Sequence, residues 1–156
     1  MKVRSVLTTG LAFAFVVLAA QRSDAKCDTT GADAVDFAAA RAAVAANCDC
    51  ATAATHGQYV KCASDQAKAT LTNKSCHGAV VKCAAKSTCG KSGFVTCCRT
   101  GKTGKTKCST KSGTDKCKAP KGGTSCVGSF SSCCDACTSS GCAGGSPSSA
   151  FLDNRF

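Results

Sequence analysis

The chain has no tryptophan, one tyrosine and two histidines, and all nine of its acidic residues are aspartate. Two histidines and no glutamate leave little for general acid–base chemistry. No serine, cysteine or carboxylate sits in a recognisable nucleophile setting, so an enzyme is not expected. The shortage of aromatics removes the stacking platforms that single-stranded nucleic acids use, so specific nucleic-acid recognition is not expected either. Large apolar side chains are also few beyond residue 25, among them Phe37, Val44, Leu71, Val80, Phe94 and Phe130. Most of the 44% hydrophobic content is alanine and cysteine. So thin a core cannot offset a backbone entropy cost of ~1–2 kcal/mol per residue.

What the chain has instead is 16 cysteines, all beyond residue 25. Residues 1–25 read as a secretory signal peptide. Lys2 and Arg4 precede an apolar run from Leu7 to Ala20, and Ser23 and Ala25 stand three and one before a cut. The run is shorter than the ~20 residues a spanning helix needs, so no transmembrane span is expected in the mature chain. Export to an oxidising compartment and an even count predict eight disulfides, using Cys27, Cys48, Cys50, Cys62, Cys76, Cys83, Cys89, Cys97, Cys98, Cys108, Cys117, Cys126, Cys133, Cys134, Cys137 and Cys142. A thiolate metal store would need cysteines more densely placed. Each bridge typically contributes ~2–4 kcal/mol by restricting the unfolded chain. Spacing cannot give the connectivity, because sixteen cysteines allow about two million pairings.

Residues 26–86 form an alanine-rich segment with helical signals. Asp33–Asn47 predicts a helix with Asp33 as N-cap, Asp36 in its first turn and a narrow face of Phe37, Ala40, Arg41 and Val44. Thr55 and Gln58 fit a capping box opening a second helix that runs to about Leu71. A third should cover about residues 78–86. The second and third share a signature, His56-Gly-Gln-Tyr-Val-Lys-Cys-Ala63 and His77-Gly-Ala-Val-Val-Lys-Cys-Ala84. Duplication explains the paired histidines, and a zinc site using Cys76, His77 and Cys83 is the weaker alternative. No cofactor is expected. Asn73-Lys74-Ser75 fits the N-glycosylation pattern, which matters only in a eukaryote.

In residues 87–142, glycine, serine, threonine and lysine replace the alanine. The stretch Lys82–Cys98 returns in altered form at Lys116–Cys134, so cysteine frames organise this half. Phe94–Thr100 and Lys105–Thr110 alternate around a Gly-Lys-Thr-Gly loop and predict a β-hairpin. The Gly-Lys-Thr repeats lack the glycine spacing of a phosphate-binding loop and read as a basic turn. Adjacent cysteines at 97–98 and 133–134 should each bridge two different neighbours, since alternate residues of an extended chain point to opposite faces. Cys134-Asp-Ala-Cys137 reads as a pair of structural bridge partners. The expected fold is thus a small disulfide-rich protein, with an α-helical N-terminal half and a cysteine-framed loop and β-hairpin C-terminal half. Residues 143–156 have a linker composition followed by Phe151-Leu-Asp-Asn-Arg-Phe156.

Cys117, Cys126, Cys133, Cys134, Cys137 and Cys142 are spaced in a way that resembles the inhibitor cystine-knot (knottin) family. The resemblance implies pairing of Cys117 with Cys134, Cys126 with Cys137 and Cys133 with Cys142. The opening Cys117–Cys126 also looks like the start of a hevein-type chitin-binding module. No aromatic follows between Cys134 and Cys142, so chitin binding is not expected. The central block, with AVVKCAAKSTCGKSGFVTCCRT and SCCDAC, resembles uncharacterised secreted cysteine-rich proteins of environmental bacteria over roughly residues 48–137. That likeness implies export and bridges and no activity.

Without Lys2, Arg4, Arg22 and Asp24 the chain has 17 basic and 8 acidic residues, a net charge near +9. The excess lies in the second half, where Arg99, Lys102, Lys105, Lys107, Lys111, Lys116, Lys118 and Lys121 stand against Asp115. A folded hairpin would present these as one basic face, attracted to an anionic surface or polysaccharide. The expectation is a secreted or extracytoplasmic, non-catalytic binding or structural protein at such a surface, with any protein partner unspecified. The alternative is a small secreted effector, a protease inhibitor or toxin-like cystine-knot protein.

Overall fold

A computed structural model describes residues 26–143. Residues 1–25, where a signal peptide is expected, and residues 144–156 lie outside them. Among the described residues no helix is long and apolar enough to cross a membrane. All 16 cysteines are paired, in eight disulfides.

The N-terminal half is three helices: α1 (Ala34–Asn47), α2 (His56–Thr70) and α3 (His77–Ala85). Alanine sets their closeness. Ala40, Ala63 and Ala67 are fully buried, and with Val44, Leu71 and Val80 they form the shared core. Small side chains let the helices approach but bury little area, and a Leu or Val contributes only ~1.5–3 kcal/mol when fully buried. Cys27–Cys76 and Cys48–Cys62 fasten this thin core from two sides. Cys50–Cys89 then ties the end of α1 to the segment beyond α3, so Cys89 belongs with the helices although it falls after residue 86.

Helix termini leave backbone amides without partners, and aspartates satisfy them. Thr55 caps α2, its side chain accepting from the Gln58 amide, which is one half of the expected capping box. Asp33 stands at the N-cap of α1 but makes no capping hydrogen bond. Its carboxylate instead accepts from Asp28 N and Asn73 Nδ2, which draws the α2–α3 link onto the start of α1. The amide nitrogen that glycosylation would modify is therefore engaged in the fold. Asp36 completes the clasp by accepting from the amides of Thr72 (3.0 Å) and Asn73 (2.9 Å).

The C-terminal half is a three-stranded antiparallel sheet of β1 (Val95–Thr100), β2 (Thr106–Lys111) and β3 (Thr124–Val127), in the order β2-β1-β3. The β1–β2 pair is the expected hairpin, and β3 adds a third strand to it. One short helix, α4 (Cys133–Ala136), and the ribbon of β4 (Cys137–Thr138) with β5 (Gly141–Cys142) cover one face. Register explains the cover. Cys98 lies opposite Cys108 on one side and Cys126 on the other, so three cysteines form a row across the sheet. They bond to Cys137, Cys133 and Cys142 respectively. At Gly128, an added Cβ would stand 2.6 Å from Ala136 Cβ, so only glycine lets α4 lie this close to the sheet.

The pairing overturns the cystine-knot arrangement. Cys117 bonds Cys97, Cys134 bonds Cys83, and of the six cysteines with knottin-like spacing only Cys126 and Cys142 join each other. The adjacent cysteines do bridge separate partners, but Cys133 and Cys134 do so from a helical turn rather than an extended chain. The two repeated frames also differ in structure. Cys83 of the first copy lies on a helix, whereas Cys117 of the second lies in a loop.

Cys83–Cys134 is the one disulfide joining the group within residues 27–89 to the group within 97–142. It closes a loop of 51 residues, for which chain entropy gives about 4 kcal/mol. The C83S/C134S double variant should keep seven bridges and both halves. Its calorimetric unfolding should split from one transition into two; a single transition shifted by less than a degree would show the bridge to be dispensable.

The Asp36 carboxyl is held below its ordinary 3.8, first by the Thr72 amide and then by that of Asn73. A carboxyl depressed in the folded state stabilises the fold above its unfolded value and loses that effect as pH falls through the folded one. Asp28 and Asp49 are lowered in the same direction by their neighbouring amide and threonine hydrogen bonds. Thermal stability should therefore be flat from about pH 5 to 7 and fall below about pH 4. Asp36→Asn should melt earlier than wild type at neutral pH and converge with it at strongly acid pH.

Candidate functional site: the outer face of the sheet

Alternation along the strands decides which side chains face outward. With Cys98, Cys108 and Cys126 bonded into the cover, the opposite face carries Val95, the buried Cys97 and Arg99 from β1, Lys107, Ser109 and Lys111 from β2, and Ser125 and Val127 from β3. Arg99 lies directly opposite Lys107, and Lys111 opposite Val95. Lys102 and Lys105 stand on the hairpin turn. The connection from β2 to β3 is pinned to this face by Cys97–Cys117 and by Ser125 Oγ donating to Cys117 O at 2.9 Å. The connection that carries Lys116, Lys118 and Lys121 therefore runs over this face, with the stem of Lys102 packed over Gly122. Of the cations expected from the sequence, the register places Arg99, Lys107 and Lys111 on this one face.

Their partners are few. Asp115 pairs with Lys116 at 2.8 Å, so Lys116 is neutralised. Among the described residues the other seven make no ion pair. Two buried polar atoms on the same face, Arg99 Nε and Ser109 Oγ, have no hydrogen-bond partner. Neighbouring strands are about 4.8 Å apart, inside a Debye length of ~8 Å at physiological salt, so these charges act together.

The histidines are occupied differently. Each opens its helix, as the repeat implied. His56 spans two carbonyls, Nδ1 facing Cys89 O at 2.9 Å and Nε2 facing Ala85 O at 3.2 Å. A neutral ring donates from one nitrogen only; a doubly protonated ring satisfies both. Gly90 lies against the same helix start with φ +68°, where a Cβ would collide with the backbone of Thr55 and His56. His77 Nε2 lies 3.0 Å from Ser64 Oγ. The zinc alternative meets an obstacle in this arrangement, since Cys76 and Cys83 are held in separate disulfides, to Cys27 and Cys134. Neither sulfur is a thiolate donor unless its bridge is reduced.

A cleft of about 590 Å³ lies between the halves, marked by no sequence motif. Val44, Ala45, Val80 and Ala84 line its apolar part, with Arg41, Tyr59, Asp49 and Asp135 at polar positions. Arg41 and Asp135 form a salt bridge across 94 residues of sequence, and burial raises the Tyr59 phenol above its ordinary value. Because the guanidinium and carboxylate satisfy each other, this cleft offers an ionic ligand less than the sheet face does. Comparison with protein-family models, curated proteins and solved structures finds no match to the chain.

Replacing His56 by alanine removes the ring N–H donor from this pair of carbonyls, at a cost of ~1–3 kcal/mol. His56→Ala should therefore lower the melting temperature by several degrees, whereas His77→Gln, which can still bond Ser64, should change it little. Zinc added to the oxidised protein should restore neither. Zinc uptake at one ion per chain that His77→Gln abolishes would reinstate a metal site.

Proposed function

We propose that the protein is a secreted, non-catalytic binding or structural protein that engages an anionic extracellular or envelope surface through the outer face of its sheet. The observation that carries the reading is the Arg99–Lys107 pair. Like charges directly opposite on adjacent strands destabilise a sheet. Lysines serving only solubility have no need to be placed there. A polyanion laid across the face offsets the repulsion and supplies acceptors that Asp115 alone cannot. Eight disulfides support an oxidising compartment, and the leader-like residues 1–25 support export. The effector alternative drew on a cystine-knot pairing that this connectivity does not contain.

Binding of this kind weakens with salt, because screening acts on exposed charges. The oxidised protein should be retained on heparin beads at low ionic strength and elute as salt is raised. Lys107→Glu should elute at distinctly lower salt while gaining ~0.2–1 kcal/mol of stability from the new cross-strand pair with Arg99. Unchanged elution of K107E, or no retention of the wild type, would remove the proposal.

A further inference from the structure

Resting on that reading, we infer that the anionic surface is an acidic lipid bilayer, with phenylalanines at one end of the sheet entering the lipid interface. Four large apolar side chains are exposed among the described residues, and three are gathered here: Phe94 (39% exposed), Val127 (38%) and Phe130 (51%). Phe94 immediately precedes β1, and Val127 ends β3 opposite Cys97 of β1. The chain beyond β3 stays at this end, since Gly128 N donates to Thr96 O and Thr96 Oγ1 donates to Phe130 O at 2.8 Å. Cations flank the cluster. Lys91 Nζ sits 5.9 Å from the centre of the Phe94 ring, and Lys111 lies opposite Val95.

A chain with so few large apolar residues leaves three of them uncovered at the end of the sheet away from the hairpin turn, where Lys91 and Lys111 are the nearest cations. A hydrated polyanion such as a sulfated polysaccharide would engage the cations but give Val127 no partner. The bilayer boundary satisfies both. It takes up exposed aromatic rings at the headgroup level, and acidic headgroups attract the adjacent lysines. Peripheral attachment strengthens with buried apolar area and with charge together. The apolar tip therefore distinguishes a bilayer from other polyanions, while the basic face supplies the attraction common to all of them.

The experiment compares vesicles of phosphatidylcholine alone, vesicles carrying about one phosphatidylglycerol in four lipids, and heparin beads. The protein has no tryptophan, so Phe130→Trp introduces a single reporter. Its emission should shift to shorter wavelength with the acidic vesicles and stay unchanged with neutral vesicles or soluble heparin. The F94S/F130S double variant should sediment with acidic vesicles about tenfold less well or worse, yet elute from heparin at the wild-type salt concentration and keep a cooperative thermal unfolding transition, which shows it folded. Retention on heparin without vesicle binding would overturn the bilayer and leave the anionic-surface reading standing. Equal vesicle binding by wild type and F94S/F130S, or no emission shift, would also overturn it. Failure to bind either support would remove both readings.

Discussion

The row of three disulfides beneath the sheet fixes everything about its outer face. A half-buried sheet ordinarily turns one face inward through alternating large apolar residues, and a slip of one residue exposes them all. Here the covered face alternates Thr96, Cys98 and Thr100 with Thr106, Cys108, Thr110, Thr124 and Cys126. No large apolar residue among these holds the register. The bridges from Cys98, Cys108 and Cys126 do so covalently, and a slipped strand could not form them. The cations reach solvent because the cysteines on the alternate positions cannot.

The helical half solves the same shortage by other means, and its solution shapes the charge of the whole molecule. Its aspartates are engaged by backbone amides: Asp28 by Thr30 and Gly31, Asp36 by Thr72 and Asn73, and Asp49 by Ala51 and Thr52. Asp65 pairs locally with Lys61 on one helix, and Asp135 turns toward Arg41. Among the described residues only Asp115 remains near the sheet's cations. The basic face is thus a consequence of where carboxylates are needed to close helix ends and links, as much as of where lysines lie.

The three helices were legible because their signals are local. Alanine content marks α1, and Thr55 and Asn47 lie at true boundaries. The hairpin was legible from alternation over six-residue strands. β3 was not, because Thr124–Val127 is only four residues long and becomes a strand by pairing with β1. The knottin-like spacing failed for a related reason. Distances along the chain do not limit partners when the sheet brings Cys98 beside Cys126 and the folding-back of the chain brings Cys134 to Cys83. The basic face itself was readable as a composition. Its placement on one side needed the register, and the cluster of Phe94, Val127 and Phe130 needed the path of the chain after β3.

The repeated frames show how such local likeness can serve a single platform. Cys83, which opens the first copy, bonds Cys134 at the close of the second; Cys117, which opens the second, bonds Cys97 at the close of the first. Between them the chain is zipped by Thr88 N donating to Ser131 O and Cys133 N donating to Lys86 O. Each copy therefore completes the other, and neither half of the sheet's support is free to swing. For the proposed engagement of an anionic surface this rigidity matters. Ordering a flexible basic segment on contact costs affinity, whereas a face fixed by bridges has already lost that freedom on folding. The lysine side chains keep their own motion, but the backbone that spaces them does not.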